Sequence, residues 1–409
     1  MVSAHATEAH NPRLSFYESA MLLRGMYNPE YFRERVRPSL ARKCDGDVEK
    51  VHDLLIETAH RLRGPIRQLG MGYRPPKNLE VNFNGVRLSA PIATAEGLDK
   101  NADALDALRL FFPLQQPGTV VVHPRDGNPR VRVAALDVQS EMFNAQGFPS
   151  KGIDYFSANL REYRKHGGDG AVFASICGLP DQAKGIETAM QEMYSMMRLL
   201  GPYVQGFIWN PASPNTKALE QLRTPETFLQ TAQLMDSAAK GKVLLVKMAP
   251  YEPADRTAAL NLFTSFVDGG GHGAVTTNTK LFMKHELPPQ IRDTWGYPSA
   301  GRSGTFLTSY MLRSVHDMRV QRPDSVIGAT GGIFDAATAI AAFQMGATYV
   351  AGYTPYAFNG PGLAREIMGG VSRAIERSRD ASLAELQKSV RELARKEDPL
   401  GKDLMKKEA

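Results

Sequence analysis

The 409-residue sequence predicts an α/β protein: a closed (β/α)₈ barrel preceded by a small helical extension. Three observations carry this. Eight short apolar runs, at residues 91–95, 118–122, 171–176, 206–210, 243–249, 274–278, 326–330 and 349–353, are separated by amphipathic segments of helical spacing. Runs such as Val243-Leu-Leu-Val-Lys-Met-Ala249 are apolar without alternation, as expected of parallel strands buried on both faces. Polar residues crowd in directly after the runs, where a barrel carries its active site. An open doubly wound sheet is the alternative, but no Gly-x-Gly-x-x-Gly follows the first run.

Composition narrows the class. Hydrophobic residues make up 43% and charged residues 22%, enough for a full core. Two cysteines, Cys44 and Cys177, exclude a disulfide framework, and the nine His show no metal-ligand spacing, so no metal is expected. The net charge of +6 suits anionic ligands or an anionic membrane surface. Basic residues are dispersed and no basic stretch is interleaved with aromatics, so no nucleic-acid partner is expected. Residues 1–12 lack the apolar stretch of a secretory signal, and no run reaches the roughly 18 apolar residues of a membrane span. A reducing, intracellular compartment fits the low cysteine count.

Taken in order, residues 1–14 are expected to be a flexible terminus and 15–80 a helical extension. Within the extension the spacing predicts two short helices, near residues 16–24 and 47–62. They serve either as a cap or as a membrane-surface element, with Arg61, Arg63 and Arg67 suited to anionic headgroups. Residues 71–89 read as a linker and a hairpin turning at Asn84-Gly85. The barrel occupies 81–378, with helices near 101–112, 152–165, 184–200, 224–239, 254–268, 306–319, 335–345 and 361–377. Two segments, 123–151 and 280–305, are longer than the frame needs and are expected to wall the catalytic face. Residues 379–409 are expected to be a charged, exposed helix and tail, opening with a capping box at Ser382 and Glu385.

The residues after the runs point to a ligand. Asn144, Asn210, Asn215 and Asn278 each offer a donor and an acceptor, which together suit a planar ring with alternating C=O and N–H groups. Asn101 and Asn128 read as turn residues. Lys100 would balance a carboxylate. Gly331-Gly332 frees backbone N–H groups before a helix, where barrels hold phosphates. Lys247, in the middle of an apolar run, needs an anionic or electron-rich partner such as a flavin ring. Cys177 reads as buried packing, and His52, His123 and His272 as structural or exposed.

Together these pieces resemble the dihydroorotate dehydrogenase family, and its membrane-associated, quinone-using class in particular, over about residues 15–378. They are Gly97-Leu-Asp-Lys-Asn101, Gly118-Thr-Val120, Asn144 with Gly147-Phe148, Asn210 with Ser213-Pro-Asn-Thr216, Val246-Lys-Met-Ala-Pro250, Thr277-Asn-Thr279, Gly301-Arg302, Gly331-Gly-Ile333 and Tyr353-Thr354. The resemblance implies FMN across the barrel mouth. Its phosphate would lie at Gly301, Gly331, Gly332, Tyr353 and Thr354. The rest of the cofactor would be held by Ala95, Gly97, Thr119, Ser175, Asn210, Lys247, Thr277 and Thr279. Dihydroorotate would bind through Lys100, Asn144, Gly147, Phe148, Asn210, Asn215 and Asn278. Ser213 would take the proton from C5 as hydride leaves C6 for flavin N5; serine rather than cysteine there points to the membrane class. The extension, with residues 47–52 opening its second helix, would form the quinone entrance. The place implied is the cytoplasmic face of a bacterial inner membrane, held peripherally, and otherwise the cytoplasm.

Departures from the family pattern concentrate in the flavin site. Glu96 stands where a small residue is usual, Ser175 where the third strand carries asparagine, Ala300 where a serine precedes the Gly-Arg pair, Ser303 where proline is common and Pro355 where glycine is usual. The substrate loop reads Asn144-Ala-Gln-Gly-Phe-Pro149 in place of Asn-Arg-x-Gly-Phe-Asn. These leave room for a paralog acting on another cyclic amide or amine. A flavin-binding barrel without turnover fits less well, because Ser213 and Lys247 are present.

Overall fold

The computed structural model describes residues 13–69, 73–180, 185–378 and 380–396. The expected flexible terminus at 1–14 lies almost wholly outside the described residues, as does most of the C-terminal tail. Eight parallel strands close into a barrel: Ile92–Thr94, Leu114–Gln115, Ala171–Ile176, Gly206–Trp209, Val243–Lys247, Gly273–Thr276, Val326–Thr330 and Tyr349–Gly352. The eighth pairs with the first through Gly352↔Thr94, which shuts the ring. The strand at Val243–Lys247 is buried at every position, because the side chains of one face fill the barrel and those of the other meet the helices.

The second strand corrects the sequence reading. Its ladder is at Leu114–Gln115, not at 118–122, where only Val120 makes an isolated bridge to Ile176. Pro117 has no N–H to give a ladder, and Gly118 takes a positive φ of 118°, so the chain leaves the strand just where the apolar run begins. The surrounding helices lie within a few residues of expectation, except the first, which shrinks to Leu105–Leu108. The hairpin Val81–Phe83 with Val86–Leu88 turns at Asn84 (φ 46°) and Gly85 (φ 77°), the left-handed pair that a two-residue turn requires.

The extension holds more helix than the two segments expected. Phe16–Tyr27 and Val48–Arg61 are joined by a helical stretch from Pro29 to Lys43, which passes through a π turn at Phe32–Val36. Asn28 caps it, and Phe32, Val36 and Leu40, one turn apart, bury against Leu22 and Leu54. Asp47 caps the second long helix by accepting from the N–H groups of Glu49 and Lys50.

Ion pairs fasten the extension to the first long insert. Glu49 and Arg132 are both buried and meet at 2.8 Å, Asp53 meets Arg130 at 2.5 Å, and Arg37 meets Asp137. Arg67 is not free for headgroups: it holds Asp106 at 2.9 Å, and Arg61 pairs with Glu57.

The two long inserts share one antiparallel sheet. Val133–Leu136, Glu141–Asn144, Ser299–Gly304 and Lys280–Met283 pair in that order above the barrel mouth. The helix Leu383–Ala394 is less exposed than expected. Leu383, Gln387 and Ala394 are buried, and Gln387 Nε2 donates to the carbonyls of Ala347 and Thr348 at the foot of the eighth strand.

Candidate active site

The C-terminal ends of the barrel strands open into a cavity with an empty volume of about 1180 Å³, its mouth included. The four-stranded sheet forms one wall through Val133, Met142 and Asn144. Nearly every residue singled out from the sequence lines it: Ala95, Gly97, Lys100, Thr119, Asn144, Gly147, Phe148, Asn210, Ser213, Asn215, Lys247, Thr277, Asn278, Thr279, Gly331, Gly332, Tyr353 and Thr354.

Two do not. Ser175 stands behind Thr119, the two hydroxyl oxygens 2.8 Å apart. Gly301 lies behind Thr279 and Asn144, which line the cavity: a Cβ there would come within 2.2 Å of Thr279 Oγ1, and its carbonyl accepts from Asn144 Nδ2 at 3.2 Å. The neighbouring Ser303 and Gly304 face the cavity instead, with Ser303 Oγ 3.0 Å from Thr354 Oγ1. Sequence reasoning also missed Met142, Val133 and Leu307 as lining; alternation along the insert strand Glu141–Asn144 was the available signal for Met142.

The four amides work in two linked sets. Asn215 Nδ2 donates to Asn144 Oδ1 at 2.9 Å. Asn278 Nδ2 donates to Asn210 Oδ1 at 3.2 Å, and Asn210 Nδ2 to Thr119 Oγ1 at 2.7 Å. Asn144, Asn210 and Asn278 are engaged at both ends, since Asn144 Nδ2 also donates to Gly301 and Asn278 Oδ1 accepts from Thr279 N–H, so they would offer a ligand their second N–H and lone pair, and Asn215 its Oδ1.

Lys100 makes no hydrogen bond or ion pair among the described residues, yet burial pushes its ammonium below the ordinary lysine value, with Glu49 and Asp53 opposing that shift. Asp99 in the same motif is structural: it accepts from the N–H groups of Asp103 and Ala104 at 2.8 and 2.9 Å. Asn101 and Asn128 are structural too, the first accepting from Lys151 N–H and the second donating to the Ala145 carbonyl.

One end of the cavity is a cradle. Gly331 (φ 117°) and Gly332 (φ 77°) hold backbone that side chains rarely adopt. An added Cβ at Gly332 would come within 2.2 Å of Thr308 Oγ1. Their N–H groups take no protein acceptor among the described residues. Free N–H groups converging on a loop are what a phosphate needs. At the other end Lys247 Nζ donates to Glu96 Oε2 at 2.7 Å, both side chains 5% exposed, while Glu96 Oε1 is buried without a partner. The phosphate cradle, the polar wall and this unmatched acceptor fit a flavin mononucleotide, whose ring carries one N–H among its acceptors.

A second cavity, about 1280 Å³ with its open mouth included, lies between the extension and the barrel. Leu22, Met26, Val51, Leu55, Ala59, Leu62 and Phe111 give it an apolar lining. His52, expected to be structural or exposed, lies in its wall with Nε2 2.8 Å from the Leu98 carbonyl oxygen. Met142 and Tyr353 line both cavities. Cys177 is wholly buried, which pushes its thiol far up, and it takes no part in either cavity.

Comparison with known proteins agrees with this geometry. Residues 78–375 match the profile of the family described as Dihydroorotate dehydrogenase. A protein of Erythrobacter litoralis named Dihydroorotate dehydrogenase (quinone) is 30% identical over 82% of this chain and 96% of its own length. One of the same name from Novosphingobium aromaticivorans is 29% identical over 80% of this chain and 94% of its own. In fold, the chain superposes on the Eimeria tenella enzyme crystallised with ferulenol at a TM-score of 0.71 and 23% identity, covering 84% of this chain and 94% of that one. The chain belongs to the dihydroorotate dehydrogenase family of flavin-dependent oxidoreductases and resembles its quinone-linked class.

Proposed function

We propose that the protein oxidises (S)-dihydroorotate to orotate using FMN and passes the electrons to a quinone. The observation that carries this reading is a single cavity that brings together Lys100, Ser213 and the amides of Asn144, Asn210, Asn215 and Asn278 beside a phosphate cradle. The amides match a ring of alternating C=O and N–H groups, and Lys100 matches its carboxylate. Gly331, Gly332, Thr354, Thr119 and Lys247 would hold FMN, which would supply the acceptor for the hydride that leaves C6. Ser213 would take the proton from C5. A hydroxyl is a poor base and must pass that proton on; Thr216 Oγ1, in the same loop, is buried without a partner and can serve.

The apolar cavity would admit the quinone, its shared wall at Met142 and Tyr353 placing the acceptor next to the flavin site. No helix among the described residues is long and apolar enough to cross a membrane. Attachment would be peripheral, through the exposed Phe16, Tyr17 and Leu23 of the first helix, with the inner face of a bacterial membrane as its place. Residues 15–80 would be the quinone entrance and 81–378 the catalytic barrel.

Anaerobic mixing with dihydroorotate tests the reading. Bleaching of the flavin band, reversed by a soluble quinone, is expected. A yellow protein that does not bleach would favour the second reading, a paralog acting on another cyclic amide or amine. That reading draws on one observation, that Glu96 occupies Lys247.

Lys100 gives the substrate site a pH dependence. Its charged form is needed for a carboxylate, and burial lowers the pH at which that form is lost. Affinity for orotate, measured by calorimetry from neutral to alkaline pH, is expected to fade below the ordinary lysine range. Lys100→Met should bind weakly at every pH, with no such decline.

A further inference from the structure

Glu96 follows the first barrel strand and Lys247 ends the fifth. These strands lie four places apart in a ring of eight, so the pair bridges the barrel from opposite sides. A buried ion pair is stable when its remaining lone pairs are matched. Here they are not: Glu96 Oε1 is buried without a donor, in a residue that lines the cavity. A bare carboxylate oxygen is costly for folding alone. The charge is felt below as well. The Tyr349 phenol is raised well above its ordinary value, first by burial and then by Glu96.

We propose that Glu96 sets the charge at the ring end of the flavin site: it cancels Lys247, so this pair offers the reduced flavin no net positive charge and holds it at a lower potential than Lys247 alone would give. The proposal rests on the FMN reading above. Two-electron reduction leaves negative charge on the ring unless a proton follows it. A nearby cation favours that state and an added anion opposes it. In a water-poor site a unit charge a few ångströms away acts strongly. Glu96 would therefore yield a flavin that gives up electrons readily and is harder to reduce.

The test uses the holoenzyme and sulfite. Sulfite donates its sulfur lone pair to N5, forming an N–S bond. No group leaves, and the displaced ring electron pair rests on N1 as negative charge. Sulfite affinity, read from bleaching of the visible band, thus reports the electrostatics of the ring site. Glu96→Gln keeps the shape and removes the charge. It is expected to tighten sulfite binding about tenfold, the equivalent of one pKa unit of bias, and to raise the midpoint potential measured against reference dyes.

Lys247→Gln should shift both readings the other way. The double variant should return close to wild type, because the two charges cancel. If Glu96→Gln fails to fold, Lys247→Gln and the double variant decide. Yellow protein in which the variants leave sulfite affinity and potential unchanged would overturn the proposal and spare the FMN reading. A wild-type protein that cannot take up added FMN would overturn both.

Discussion

Ser213→Ala is expected to slow reduction of the flavin by dihydroorotate by about 10²- to 10⁴-fold, the range a positioned general base supplies. Ser213 lines the cavity on the loop that leaves the fourth barrel strand. Three hydrogen bonds anchor that loop: Arg223 Nε donates to the Pro211 carbonyl at 3.0 Å and its Nη2 to the Ser213 carbonyl at 2.9 Å, and Asn210 Oδ1 accepts from Ala212 N–H at 3.3 Å. None involves the Ser213 hydroxyl, so alanine should leave the loop in place and remove only the proton acceptor. Binding of orotate should then stay within a small factor of wild type while the rate of bleaching collapses. Wild-type bleaching should quicken with rising pH, as expected when a hydroxyl must lose its proton, and the residual rate of the variant should not. Single-turnover mixing separates the two effects, because it reads the chemical step apart from quinone reduction. An alanine variant that bleaches within a few-fold of wild type would remove Ser213 from the proton step and support chemistry on a different ring.

The barrel was legible because its strands are buried on both faces. Residues 243–246 announce themselves as an unbroken apolar run, and polar residues just beyond such runs mark the open end. Where the run and the ladder part company, as at Pro117-Gly118, composition pointed to the wrong residues. The stretch from Pro29 to Lys43 was hidden for another reason. Phe32, Val36 and Leu40 carry a helical stripe, but Arg33, Arg35, Arg37 and Pro38 dilute it, and the partners of that stripe, Leu22 and Leu54, lie elsewhere in the chain. Pairing at long range cannot be read from local pattern at all. Arg302 opposite Phe143 and Glu96 against Lys247 follow from closure of the barrel and its inserts. Lys100, Asn210, Asn215 and Asn278 could be named as a set because each follows a barrel strand, and Asn144 because it lies on the long insert after one. Gly301 was placed one layer too close to the ligand, since its position behind Asn144 depends on pairing with the distant strand Glu141–Asn144.

Filling the second cavity should separate the two half-reactions. Ala59 lies on the helix Val48–Arg61 and lines the apolar space; Ala59→Trp would occupy it without touching Glu49, whose pairing with Arg132 ties the extension to the insert. Quinone reduction is expected to fall about 10- to 200-fold, the span that misfit in a hydrophobic pocket commands. Bleaching by dihydroorotate should change little, because Ala59 is not in the first cavity. A small dye acceptor that reaches the flavin through the barrel mouth should restore turnover. Deleting residues 1–70 should also impair quinone reduction more than flavin reduction, but with a side effect. Arg132 loses the carboxylate that neutralises it and keeps only the carbonyls of Asp126 and Asn128. A buried cation left without its partner loosens the insert that forms the wall of the substrate cavity. The deletion should therefore weaken substrate binding in a way that Ala59→Trp does not. Equal loss of both half-reactions in Ala59→Trp would count against the apolar cavity as the quinone's route, since a side chain confined to that cavity has no other way to reach the chemistry at Ser213.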